Sequence, residues 1–483
     1  MFFRVLQQCT KLIILTVSLS VSGCLLYGWM AQPPAVNITV SMPGGDGRPE
    51  GASGGEKATD LKGVFVHYAE LENRLPGSWT RFRGEKFDNI CRDCPPLASR
   101  WREEGPPELW AVDLGEGYAA PVVHDGRVYV LDYDEERHGD LVRCFSLDTG
   151  QELWQRFYEV SVKRNHGMSR TVPAVTDSLL VTIGPRCHVL CLDPQTGDYR
   201  WGIDLQQEFG ATEPLWYTGQ CPLIDDGVVV LAAGGPEALM LGVDGMSGTV
   251  LWKTPNPQNR EMSHSSVMPL HLAGTATYVY SALGAVVGVA AEGEKRGELL
   301  WEVPWKARVI APSAVQVDEE RFLVTAGYGE GSLMIRVQQH GGKYEAEVLY
   351  AVTPKEGIAC EQQTPVLSEG LLYTVMPKDA AALREQFACY NADGTLVWSS
   401  GSENRFGLGP FILADDKFFI LSDDGVLTMA ALSKEKFERL DSRRVLNGND
   451  AWGPIAIAGT RMLLRDSKKL ICLDMGVEAN KRG

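Results

Sequence analysis

The sequence predicts an all-β protein, a closed ring of eight four-stranded antiparallel blades. Three observations carry that prediction. An aspartate, a turn glycine and a tryptophan recur together, as SLDTGQELW (146–154), CLDPQTGDYRW (191–201) and GVDGMSGTVLW (242–252). The recurrent tryptophans stand at 110, 154, 201, 252, 301 and 398, with Tyr350 in the vacant place, so successive spacings are 44, 47, 51, 49, 49 and 48. Finally, 51 glycines and 12 tryptophans in 483 residues supply many tight turns and many large apolar anchors. A period of about 40 to 50 residues with several short strands per unit is the signature of a propeller.

Each unit has one internal order. Its first strand is reached through a proline or small residue, as in AAPVVHDG (119–126), TVPAVTDS (171–178), QCPLIDDG (220–227) and QTPVLSEG (363–370). A polar turn leads to an alternating apolar strand, such as RVYVLDY (127–133) or LLYTVMP (371–377). A third strand runs into the Asp/Gly turn, where the carboxylate can hold turn amides while glycine takes positive φ. The fourth strand carries the tryptophan, whose broad face can fill the wedge between blades.

Units start near 119, 171, 220, 264, 310, 363, 408 and 452. The eighth (452–476) ends after three strands, and ELWAVDL (108–114) precedes the first unit without a blade of its own. Joining the two completes the last blade, closes the ring and removes the open sheet edges of a linear array. Units five and seven are degenerate: 333–350 lacks the aspartate, and 431–446 lacks both anchors.

Ahead of the ring, LIILTVSLSVSG (12–23) is an apolar run flanked by Arg4 and Lys11. Cys24 follows in VSGC, which resembles the lipobox of bacterial lipoproteins, where the cysteine is lipidated. Apolar residues continue to 31, long enough for an uncleaved membrane anchor. A lipoprotein signal, such an anchor and a cleaved signal all export residue 32 onward. The segment 32–75 is rich in Gly, Pro, Ser and charge and reads as a flexible linker. The propeller is placed at 76–476 and a short tail at 477–483. The balance of 46 Lys+Arg against 62 Asp+Glu, a net charge of −16, argues against nucleic-acid binding.

The repeats resemble those of the quinoprotein-type, PQQ-like eight-bladed propellers, over roughly 76–476. The resemblance is closest to exported members that open W-x-x-F-R-G, here WTRFRG (79–84). It implies two functions. One branch holds pyrroloquinoline-quinone dehydrogenases, in which adjacent cysteines form a disulfide against the cofactor and Glu, Asn and Asp hold calcium. The other holds BamB-type lipoproteins that scaffold the assembly of outer-membrane proteins. This chain has 11 cysteines and no adjacent pair.

Most cysteines suit core packing: Cys144, Cys191, Cys389 and Cys472 share the third-strand position. CRDC (91–94) differs, since Cys91 and Cys94 lie ahead of the ring, where a local disulfide and redox work are both open. No His-x-His or H-E-x-x-H pattern occurs among the eight histidines.

Candidate binding positions come from geometry. Inner strands line the ring axis, so residues just before each strand's proline should face the funnel mouth. These are Tyr118, Arg170, Gln220, His264, Gln362, Gln363 and Trp452, with Arg308, Glu361, Arg405 and Asp450 nearby. Arg170, His264, Arg308 and Gln363 are the candidates for holding a cofactor or an anionic group; no catalytic residue and no metal site is expected. The loops 165–170 and 209–220 also have the composition of a binding face.

The reading is a monomeric, exported, membrane-tethered scaffold without chemistry of its own, serving protein or peptide clients of the bacterial envelope. The alternative is a periplasmic oxidoreductase with pyrroloquinoline quinone and calcium on the axis.

Overall fold

The computed structural model describes residues 2–30, 58–164 and 167–481, in two units, 1–54 and 55–483. In the first, Phe2–Met30 is an α-helix. The Cys24 side chain lies outside the described residues, as do linker residues 31–57 and Asn165 and His166. Among the described residues no helix is long and apolar enough to cross a membrane.

The second unit is a ring of eight antiparallel sheets. The innermost strands are Val122–His124, Ala174–Val175, Leu223–Asp225, Met268–Leu272, Val315–Gln316, Val366–Ser368, Phe411–Ala414 and Ala456–Ala458, taken as blades 1 to 8. They begin three to five residues after the starts read from sequence, so the residues in between form the lip of the funnel. In blade 8 the outer strand is Glu108–Asp113, which pairs antiparallel with Lys469–Asp474 and sets Trp110 opposite Cys472. Arg465, fully buried, ties this joint further by donating to the carbonyls of Ala119 (2.9 Å) and Gly115 (3.2 Å).

Burial on both faces marks the middle strands. In Arg127–Asp134 and Gly139–Ser146 both faces are buried, because each blade is packed between two others. The two degenerate blades are rescued differently. In blade 5, Tyr350 replaces tryptophan and its hydroxyl reaches the Ala392 carbonyl at 3.4 Å. In blade 7, whose outer strand Arg439–Arg444 has no aromatic, the fully buried Trp101 joins the core shared by Leu427, Met429 and Met462, and its amide bonds Asp441 at 2.9 Å.

The segment before the ring does more than lead into it. Trp79 bridges to Val123 of blade 1, the Thr80 carbonyl accepts from Val175 of blade 2, and Arg81 donates to the Ile224 carbonyl of blade 3 at 3.3 Å. Arg83 then donates to the carbonyls of Thr364 and Pro365, both at 2.8 Å, just before the inner strand of blade 6. Arg81 and Arg83 thus reach blades three places apart in an eightfold ring, so the chain passes across the axis. Ile90–Cys91 continues as a parallel strand on the inner edge of blade 7. Cys91 and Cys94 form a disulfide with Cα atoms 5.8 Å apart.

Candidate functional site

Above Phe82 of this crossing segment the axis opens into a cavity of about 140 Å³. The lips before the inner strands supply its walls. Tyr118, Arg170, His264, Gln362, Gln363 and Trp452 all line it, with Glu361 beside them. Gln363 is fixed by donating to the Trp452 carbonyl at 3.2 Å. Trp452 is fixed in turn by its indole N–H on Asp423 (2.8 Å) and by the Tyr118 ring 5.1 Å away.

Arg308, expected among them, is corrected: it is exposed and off the cavity, while Val309 and Ala311 line it. The connection between the strands Leu299–Trp305 and Val315–Gln316 bends at Arg308, and that side chain is left to solvent. Gln220 is corrected too. It is buried in blade 3, where its amide donates to the Ala232 carbonyl at 3.0 Å and accepts from the Ala232 N–H at 2.6 Å. Arg405 and Asp450 do not line the cavity either.

Sequence reasoning reached Trp216 only as part of the 209–220 loop, and it missed Tyr328. Trp216 stacks between His264 (centroids 6.2 Å) and Tyr328 (5.8 Å). The loop carrying it is held in an unusual shape, with Trp216 at φ 63° and Tyr217 at φ 73°. Two successive bulky residues in the left-handed region carry strain that surrounding contacts must fix. Arg170 supplies one such contact, donating from Nε to the Trp216 carbonyl at 2.5 Å. The available signals were the aromatic content of 209–220 and the Gly-Tyr-Gly at 327–329.

Electrostatically the mouth is lopsided. Burial, reinforced by the Arg170 charge, pushes His264 down to about 3, so its imidazole is neutral. Burial also lowers Arg170 to about 10, which still leaves it cationic, and its guanidinium lies 5.4 Å from the Tyr118 ring centre. Across the cavity, burial raises the Glu361 carboxyl, with Lys378 opposing the shift. The Cys221 thiol in the wall is raised to about 11 by burial and stays protonated. The lining therefore combines one guanidinium, one carboxyl, amides and aromatic faces. Among the described residues no group of three or more His, Cys, Asp or Glu is placed to hold a metal ion.

The family model described as "Outer membrane protein assembly factor BamB" matches residues 137–343. Among solved structures the chain is similar to BamB from Moraxella catarrhalis, at 12% identity over 76% of this chain and 99% of that one, with a TM-score of 0.51. It is also similar to the quinohemoprotein alcohol dehydrogenase from Comamonas testosteroni, at 11% identity over 83% of this chain and 81% of that one, TM-score 0.56. A europium-containing methanol dehydrogenase aligns at 13% identity over 83% and 90%, TM-score 0.55. No protein of curated function matches it in sequence. At such identities the likeness is one of fold. The chain is an eight-bladed propeller with the fold of BamB and of the quinoprotein dehydrogenases, and its residues 137–343 match the BamB family model.

Proposed function

We propose that this protein is a non-catalytic binding and assembly scaffold of the cell envelope, exported and held at the membrane through its N-terminal segment, with Cys24 as the residue for lipidation. The observation that carries the reading is the chain crossing at Arg81–Arg83, which puts Phe82 in the wall of a small axial mouth. Its volume of about 140 Å³ is small beside the roughly 300–1,000 Å³ of ordinary cofactor sites. Calcium takes about six to eight oxygen ligands, several of them carboxylates; this lining offers Glu361 with two glutamines. Such a donor set does not match a calcium-held quinone.

The same lining suits a protein contact. Tryptophan, tyrosine and arginine dominate binding energy at interfaces, and Trp216, Tyr328, Tyr118, Trp452 and Arg170 are gathered at one opening. Trp216 is already immobilised between two rings, so little side-chain entropy remains to be lost on binding. The partner is another protein of outer-membrane protein assembly, or a peptide segment of one.

A photo-crosslinking residue at position 328 of the full chain, expressed in a bacterial envelope, tests this. The reading expects a discrete adduct with another envelope protein, lost when Trp216→Ala is added. Monomer alone at 328, with normal folding and export, sinks it. The rival reading, a quinone-dependent oxidoreductase, draws on Arg170 beside flat aromatic walls, a setting that favours a planar anion.

A further inference from the structure

The outer edge of each blade is a strand with unpaired backbone groups, and folded proteins blunt such edges with cover, proline or charge. This ring shows all three. On blade 1, Val64–His67 adds as a fifth strand along Glu152–Glu159, with Val64 opposite Phe157 and His67 opposite Trp154. Tyr68 and Ala69 follow, both donating to the Leu153 carbonyl. On blade 2, Leu61 covers Gly202, and Arg200 and Asp204 stand on the strand. Blade 4 carries Pro304 and Glu302. Blades 3, 5, 7 and 8 carry Lys253; Lys343, Glu345 and Glu347; four charges in Arg439–Arg444 that include Asp441; and Glu108 with Asp113.

Blade 6 is different. Its outer strand, Leu396–Ser399, reads Leu-Val-Trp-Ser, and among the described residues no further strand pairs with it. The residue before the wedge tryptophan is open on blade 3 (Leu251) and blade 8 (Leu109) as well, but those strands carry Lys253 and Glu108 with Asp113, whereas Leu396–Ser399 carries no charge. Leu153 on blade 1, under the added strand, is 3% exposed, whereas Val397 at the same place in blade 6 is 37% exposed and Leu396 beside it 45%. Val348 and Leu349 of the neighbouring blade 5 strand are exposed as well. Tyr350 of that strand touches the turn that leads into Leu396, reaching Ala392 and Gly394. The Ser400 N–H donates inward to Phe387 at 2.8 Å; backbone N–H directions alternate along a strand, so that of Ser399 faces out.

We propose that the outer edge of blade 6 is a strand-addition site, which takes an extended, uncharged segment of a partner protein with alternating apolar side chains. The occupant's chemistry is read from the chain itself. Val-Phe-Val-His at 64–67 performs this addition on blade 1, and four residues of pairing suffice there. Main-chain hydrogen bonds supply affinity, and burial of Leu396 and Val397 supplies the preference for apolar alternation. The site lies on the rim and is separate from the axial mouth. It rests on the scaffold reading only for the partner's biological identity.

The test uses the full chain and a labelled, end-capped peptide of its own residues 63–69 as the extended probe, followed by fluorescence anisotropy. Wild type should bind it, and a peptide carrying Val66→Pro should not bind. The double substitution Leu396→Lys with Val397→Lys should weaken binding at least tenfold with the melting temperature unchanged, since both side chains are already exposed. Ser399→Pro, which removes the outward N–H, should do the same, while Leu251→Lys on blade 3 should have little effect. No binding to wild type at millimolar peptide overturns the proposal, and so does equal binding to the double variant. The crosslink at 328 does not involve this edge, so failure here and failure of the scaffold reading are separable.

Discussion

Trp110 covers Gly150. A Cβ built on that glycine would sit 2.7 Å from the indole, and the indole N–H donates to the Leu147 carbonyl at 3.0 Å. The same ring-on-glycine packing joins Trp154 to Gly197 (3.0 Å), Trp201 to Gly248 (2.7 Å) and Trp252 to Gly297 (2.7 Å), each tryptophan lying on the turn glycine of the next blade. Those glycines also hold φ between 71° and 88°. The recurrent aspartate–glycine–tryptophan phrase is therefore a ball-and-socket joint written across blade boundaries. Gly150→Ala should suffer both the left-handed backbone and the collision. Gly227→Ala, at φ 75° with nothing within 4 Å, should cost only the backbone term of about 1–2 kcal/mol. Thermal melting should show Gly150→Ala as clearly the less stable of the two; equal losses would mean the indole moves aside freely.

Because Trp110 belongs to the strand that pairs with Lys469–Asp474, the joint at Gly150 closes the ring. Deleting 108–114 removes only seven residues, yet it should expose the edge of blade 8, empty the socket at Gly150 and lower the melting temperature sharply. An unchanged melt would show that the ring holds without this strand.

Arg83 should matter to stability more than Arg81, although the two are neighbours in sequence. Arg83 is buried and satisfies three carbonyls, those of Phe87, Thr364 and Pro365, each at 2.8 Å. Arg81 is half-buried and has a 3.3 Å bond to Ile224. Leaving a buried acceptor unpaired costs about 1–3 kcal/mol, so Arg83→Met should be destabilised by roughly 3 kcal/mol or more and Arg81→Met by far less. Denaturant midpoints read the difference directly.

Asp140 gives a pH signature. It is fully buried, accepts the Tyr158 hydroxyl at 2.5 Å and is pushed up to about 7 by burial, with Tyr158 and His188 opposing the shift and Asp132 adding to it. A carboxyl raised from its usual value near 4 binds its proton more tightly in the folded chain. Its contribution to stability is full below about pH 4 and is lost as pH rises through 7. Asp140→Asn should therefore shrink the fall in melting temperature between pH 4.5 and 7.5. An identical pH profile in the variant would assign that fall to other groups.

The ring was legible in the sequence because its joints are local and repeated: one turn glycine and one tryptophan per unit fix both period and strand order. Most of the mouth was legible too, since Arg170, His264 and Gln363 sit three or four residues before their inner strands. Arg308 failed because it lies in a bent connection between strands, where no strand period sets the side-chain direction. The crossing segment was hidden for another reason. Arg83 meets Thr364 across 281 residues, and no local pattern encodes a contact that exists only after the ring has closed. Trp216 was obscured because its position depends on two left-handed residues with side chains that seldom adopt that backbone.

The most direct test of the scaffold reading is titration of the purified full chain with pyrroloquinoline quinone and calcium, followed by absorbance and by dye reduction with primary alcohols. The account predicts no saturable change in the quinone spectrum and no dye reduction above free quinone, in wild type and in Arg170→Ala alike. A stoichiometric spectral change in wild type, lost in Arg170→Ala and accompanied by alcohol-dependent dye reduction, would contradict it and make the protein an oxidoreductase.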